Sequence, residues 1–164
     1  MFKVGDYIVH GRNGVCQVKD ITHIDLSGAD KDQLYYTLIP VHSENRKIFY
    51  PVDSDKVVMR SVISREEAES IVKDMDQIKP MWIENEKSRE LRYKEAIGSA
   101  DCQKLIGVIK ALYERNHERM AQGKRITFVD DRYLKEAKKN LFDEFAIALD
   151  IREDEVEDYI KSHK

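Results

Sequence analysis

At Ser61 the spacing of apolar residues along this chain changes period, and that change limits the fold more than any single motif does. From Phe2 to Arg60 the apolar residues come in short, β-rich runs: Tyr7-Ile8-Val9, Val15-Cys16-Gln17-Val18, Leu34 to Ile39, Ile48-Phe49-Tyr50 and Val57-Val58-Met59. Runs of this length and composition predict about five short strands. Turn-forming residues separate them, at Gly11-Arg12-Asn13-Gly14, at Leu26-Ser27-Gly28-Ala29-Asp30 and at His42-Ser43-Glu44-Asn45. No helical pattern of useful size lies in this part.

After Ser61 the spacing becomes helical. Ser64-Arg65-Glu66-Glu67 is a capping-box sequence, in which Ser64 caps the backbone and Glu67 reaches back, and it predicts a helix to about Asp76. Pro80 closes that segment and biases Lys79 away from helical angles. A second helix is expected from Met81 or Trp82 to about Ile97, with Pro80 near its first turn and Gly98 as its stop. A third should open at Ser99 or Asp101 and end near Ala121, before Gly123. A fourth should run from Asp130 to about Leu149, and a short fifth from Glu153 to Ser162. The expected fold class is therefore α+β with two domains. Residues 1–60 would form a small SH3/Tudor-like antiparallel β-barrel, and residues 61–164 an all-α bundle of about five helices.

Charge divides the chain again. Residues 1–60 carry 8 Lys+Arg against 8 Asp+Glu, residues 61–86 carry 3 against 7, residues 87–139 carry 14 against 8, and residues 140–164 carry 3 against 8. A basic middle of net +6 between acidic flanks admits an anionic partner although the whole chain is at −3. The third helix places Leu105, Ile109, Leu112 and Tyr113 on one stripe, expected to be buried. Lys104, Gly107, Ala111, Arg115 and Arg119 follow the same period on the other side. That face, small in the middle and cationic at its ends, is either a solvated helix surface or one that a phosphate backbone can approach.

Several classes find no support. The apolar runs reach about four or five residues, far short of the roughly 18 to 20 that span a bilayer, and MFKVGDYIVHG lacks the pattern of a secretory leader. A cytoplasmic protein with no membrane partner is expected. Cys16 and Cys102 stand far apart with no CxxC or Cys/His cluster, which argues against a zinc site or a disulfide framework. Neither a metal nor another cofactor is expected. GxGxxG, P-loop, HExxH and GxSxG patterns are absent, and His10 or His42 beside Cys16 is read as structural, not as a nucleophile pair. Asp130-Asp131 is read as an N-cap and a helix-dipole partner. No catalytic residue is assigned.

The opening Phe2-Lys3-Val4-Gly5-Asp6-Tyr7-Ile8-Val9-His10-Gly11, continued by Asn13-Gly14-Val15, resembles the start of the CarD family of bacterial transcription regulators. The same pattern heads the polymerase-interacting module of transcription-repair coupling factor. The resemblance extends through Tyr36 to Ile39 and Ile48 to Pro51, then into a helical half with one Trp behind a Pro. A Gly-Ser-Ala-Asp helix start and the Val-Ile-Lys-Ala-Leu-Tyr-Glu-Arg helix follow, so the likeness covers nearly the whole chain.

That resemblance implies a regulator of transcription initiation, not an enzyme. Its Tudor-like domain would bind the β subunit of bacterial RNA polymerase, here through Arg46, Lys47, Ile48, Phe49 and Pro51. Its helical domain would contact promoter DNA without sequence specificity, in the minor groove at the upstream edge of the bubble, and stabilise the open complex. Trp82 matches the family's DNA wedge, and Arg89, Arg92, Lys94, Lys104, Arg115 and Arg119 would hold phosphates. The chain is expected to act as a monomer.

Two departures from the family pattern bear on this. Many relatives place arginines soon after the tryptophan, whereas here Ile83-Glu84-Asn85-Glu86 intervene before Lys87 and Arg89. Ile24 and Phe49 stand near positions where some relatives use arginines on the β subunit, which implies a more apolar contact by strand addition. From the residues alone two readings stay open. Trp82 could be a core anchor packing one helix on another, and the protein could be an interaction adaptor that never touches DNA.

Overall fold

In a computed structural model of the chain, described for residues 1–25, 27–28 and 31–164, the period change at Ser61 separates a sheet from a helical bundle. Of the turn expected at Leu26 to Asp30, Leu26, Ala29 and Asp30 lie outside the described residues. The strands are β1 (Tyr7–His10), β2 (Val15–Thr22), β3 (Tyr35–Pro40), β4 (Ile48–Pro51) and β5 (Met59–Ser61). Every pairing is antiparallel and the order is β4-β3-β2-β1-β5. The sheet is open instead of closing into a full barrel, with β4 and β5 as its edges.

Alternation sets the inner face: Ile8, Cys16, Val18, Tyr36, Leu38 and Tyr50 form one buried cluster. A register shift between Val18 and Asp20 breaks the ladder and bends β2, as a bulge does. The fifth strand lies later than Val57-Val58-Met59. Val57 gives its N–H to the Tyr50 hydroxyl at 2.8 Å, and the Val58 carbonyl accepts from Gly11 N–H at 2.8 Å. With those groups committed, ladder pairing to β1 begins at Met59.

The helices are α1 (Arg65–Lys73), α2 (Arg89–Gly98), α3 (Cys102–Ala121), α4 (Phe128–Leu149) and α5 (Val156–His163). Ser64 caps α1, its Oγ accepting from Glu67 N–H at 3.1 Å, and Asp101 caps α3 by accepting from Gln103 and Lys104. Two expectations are corrected. The second helix begins at Arg89, after a single 3-10 turn at Glu86–Ser88, so Trp82 lies outside any helix. The fourth begins at Phe128 with Thr127 as its cap, which frees Asp130 for another role. Ile97, Leu105, Val108, Leu112, Tyr133, Leu141, Phe145 and Leu149 fill the bundle core. Tyr113, expected in the buried stripe, is 47% exposed and accepts from Lys138 through its hydroxyl.

The two parts meet across a formed interface. Val9, Val15 and Ala100 are buried together with Val41, Val62 and Ile147 against them. Arg60, on β5, grips the carboxylate of Glu144, on α4, at 2.5 and 2.8 Å. Glu144 also accepts from Ile63 N–H at 3.0 Å. Ala100 holds a left-handed backbone, φ 57, with its carbonyl turned to the same guanidinium at 2.6 and 2.9 Å. Arg12 makes a two-pronged pair with Glu136 at 2.5 and 2.9 Å. Gly14, at φ 72, packs so tightly that a Cβ would meet Asn140 Oδ1 at 2.6 Å. Of these, Glu144 is the buried charge, and leaving it unpaired would be costly, by about 3 to 5 kcal/mol.

Candidate nucleic-acid interface

Between α1 and α2 the chain crosses α3 as a strap. Lys110, on α3, donates to the carbonyls of Met75 and Ile78 at 2.5 and 2.6 Å, and Met81 N–H donates to the Gly107 carbonyl at 2.9 Å. The bonds at Ile78 and Met81 satisfy extended backbone that would otherwise be left short of partners. Met81 and Ile83, both half-buried, pack against the bundle core, and Trp82 between them turns out and is 78% exposed. In, out, in is what a strap of period two gives. Tryptophan is on average highly buried, so an indole held outward between two half-buried anchors is unusual.

The small face of α3 thus has an occupant from its own chain. A Cβ on Gly107 would meet Lys79 O and Met81 N at 3.5 Å, so the strap, not a phosphate backbone, lies on Gly107. Beside the indole runs an open groove of about 480 Å³. Lys79, Arg92 and Lys104 line it together with the carboxylates Glu95 and Asp101.

The six cations expected on phosphates divide in two. Arg92, Lys94 and Lys104 are exposed, the first two only loosely paired, with Glu95 and Glu90, each at 3.7 Å. Arg89 and Arg115 turn inward to Asp130, whose side chain is fully buried. Arg89 Nη1 and Arg115 Nε, the latter at 2.9 Å, both donate to its carboxylate. Burial by itself would raise the Asp130 pKa, but the hydrogen bonds from Arg89, Arg115 and Thr127 outweigh it and hold the carboxyl below the usual range. Glu86 completes the network, accepting from Arg115 at 3.1 and 3.3 Å and pairing with Arg89 at 3.3 Å. Arg119 is half-buried and donates to the Arg125 carbonyl at 3.0 Å, which holds the α3–α4 turn.

The residues expected to face polymerase lie on and beside an open sheet edge. β4 carries Ile48, Phe49 and Pro51 and pairs only with β3 among the described residues, leaving its other edge open. Phe49 is exposed, and Arg46 and Lys47 are exposed in the turn before it. Ile24 is half-buried. Sequence reasoning did not single out Asp130 as an arginine anchor or Lys79 as a groove cation; a lone acid between two arginine-bearing helices is the signal that could have found the first.

An open-edged interaction sheet docked on a bundle that displays one indole defines a two-part binding protein. The N-terminal part matches the CarD-like/TRCF RID domain over residues 2–63, and the helical part matches the CarD C-terminal domain over residues 69–161. The chain belongs to the CarD family, bacterial transcription regulators that interact with RNA polymerase and are not enzymes. No curated protein sequence matches the chain. Among the described residues no helix is long and apolar enough to cross a membrane.

Proposed function

We propose that this chain binds the β subunit of bacterial RNA polymerase through the β4 edge and stabilises the promoter open complex through Trp82, as a cytoplasmic protein without a cofactor. Residues 1–60 engage polymerase and residues 61–164 engage DNA. The observation that carries the reading is the exposure of Trp82 between two half-buried anchors packed on the bundle core. A wedge must be free of its own core yet rigidly aimed, and the Met81 and Ile83 anchors supply the aim. Wedging an indole beside a base step costs a few kcal/mol in unstacking, which is offset where polymerase has already opened the strands.

The phosphate contacts follow the outward cations. Arg92, Lys94 and Lys104, with Lys79 beside the groove, hold the backbone and read no sequence, while Arg89 and Arg115 brace the start of α2. Glu86 is held by those two arginines, so one of the two acids behind Trp82 is turned from the phosphates. Free DNA binding by so few cations is weak, and tethering to polymerase raises the effective concentration. Retention of polymerase by the wild type and its loss when β4 is blocked by Phe49→Asp tests the first contact. An adaptor that never touches DNA would leave promoter footprints unchanged.

A further inference from the structure

A cleft of about 310 Å³ lies between the two parts, lined by Arg12, His42 and Arg46 from the sheet side and by Glu136, Lys139 and Asn140 from α4. We propose that it is a binding site for a small, multiply charged phosphate anion of the diphosphate class. The site goes beyond polymerase and DNA binding.

The cations that converge on the cleft are only partly cancelled by acids. Glu136 is committed to Arg12 through Nε and Nη2, and Asp143 is committed to His42 at 3.2 Å. Among the described residues Lys139 and Arg46 have no carboxylate within ion-pair distance; the only hydrogen bond of the Arg46 side chain is a long one, 3.4 Å, to Asn13 Oδ1. Arg12 itself is taken up by Glu136 and by the Tyr133 ring, but the remaining nitrogens of Arg46 and Lys139 Nζ have no hydrogen-bond partner among the described residues. Arg46 and Lys139 line the cleft from two separate elements, the turn before β4 and α4.

The construction around these donors is rigid on the sheet side. Asn140 Nδ2 donates to the Arg12 carbonyl at 3.1 Å, and Gly14 closes against the same asparagine, so the Arg12 backbone is fixed to α4. A single carboxylate offers two oxygens on one side, whereas a guanidinium fork from Arg46 and an ammonium from Lys139, arriving from different directions, match phosphoryl oxygens on linked groups. Clefts between domains are common places for small ligands. An anion there would join the sheet to the bundle by neutralising cations on both.

The test is calorimetric titration of the full chain with inorganic pyrophosphate at fixed ionic strength, beside Arg46→Glu, Lys139→Glu and the distant surface variant Lys56→Glu. The site predicts one saturable binding event per chain and a higher melting temperature when it is filled. Affinity should be unchanged in Lys56→Glu and weaker by about tenfold or more in each of the other two. Absence of binding, or equal binding by all four proteins, overturns the proposal. So does succinate at the same ionic strength binding as tightly as pyrophosphate.

Discussion

Arg92 and Arg115 count alike in a charge map of the basic middle segment, yet in the folded chain they do opposite work. Arg92 lies at the open groove beside Trp82, with one loose carboxylate at 3.7 Å. Arg115 is spent on a buried aspartate and on Glu86. The difference teaches that net +6 overstates what the segment can offer to phosphates. Part of its charge builds the platform from which the rest, and the indole, are displayed.

The sharpest way to break that division is Asp130→Ala. It strands Arg89 and Arg115 beside a fully buried position, and urea unfolding should show a loss of about 3 kcal/mol or more. Arg115→Ala leaves Asp130 with Arg89 and should cost less, about 1 to 2 kcal/mol. The same network gives a pH signature. Because the folded Asp130 carboxyl lies below its unfolded value, its contribution is present at neutral pH and is lost as pH falls through the folded pKa. Below about pH 4 the wild type should therefore lose stability more steeply than Asp130→Asn.

The outward set should behave the other way. Lys104→Glu and Arg92→Glu ought to leave urea unfolding within about 0.5 kcal/mol of wild type. Each should weaken DNA engagement in the polymerase complex and lower the magnitude of its salt slope by about 1. If Arg92→Glu destabilised the fold as Asp130→Ala does, the separation into platform and display would be wrong.

Much of this architecture is legible in the sequence because it rests on local rules. Alternation in Val15 to Val18 and the caps Ser64 and Asp101 are set by neighbours a few residues away, whereas the stop expected of Gly98 falls to Ala100, which takes the left-handed backbone just past the helix. What the sequence hides depends on partners far along the chain. Pro80 followed by Met81-Trp82-Ile83 fits a helix start as well as a strap. Only the Gly107 carbonyl and the core pockets for Met81 and Ile83 decide for the strap. Asp130 looks like a cap because it opens a helical run, and its role depends on arginines 15 and 41 positions away. The outward position of Trp82 follows from the same strap.

Trp82→Ala is the most direct test of the account, measured as open-complex lifetime on a bacterial promoter with polymerase and saturating protein. If the indole favours the open state by about 1.4 kcal/mol, the variant should shorten the lifetime roughly tenfold relative to wild type while still binding polymerase. A variant that stays bound to polymerase and stabilises the complex as well as wild type would contradict it.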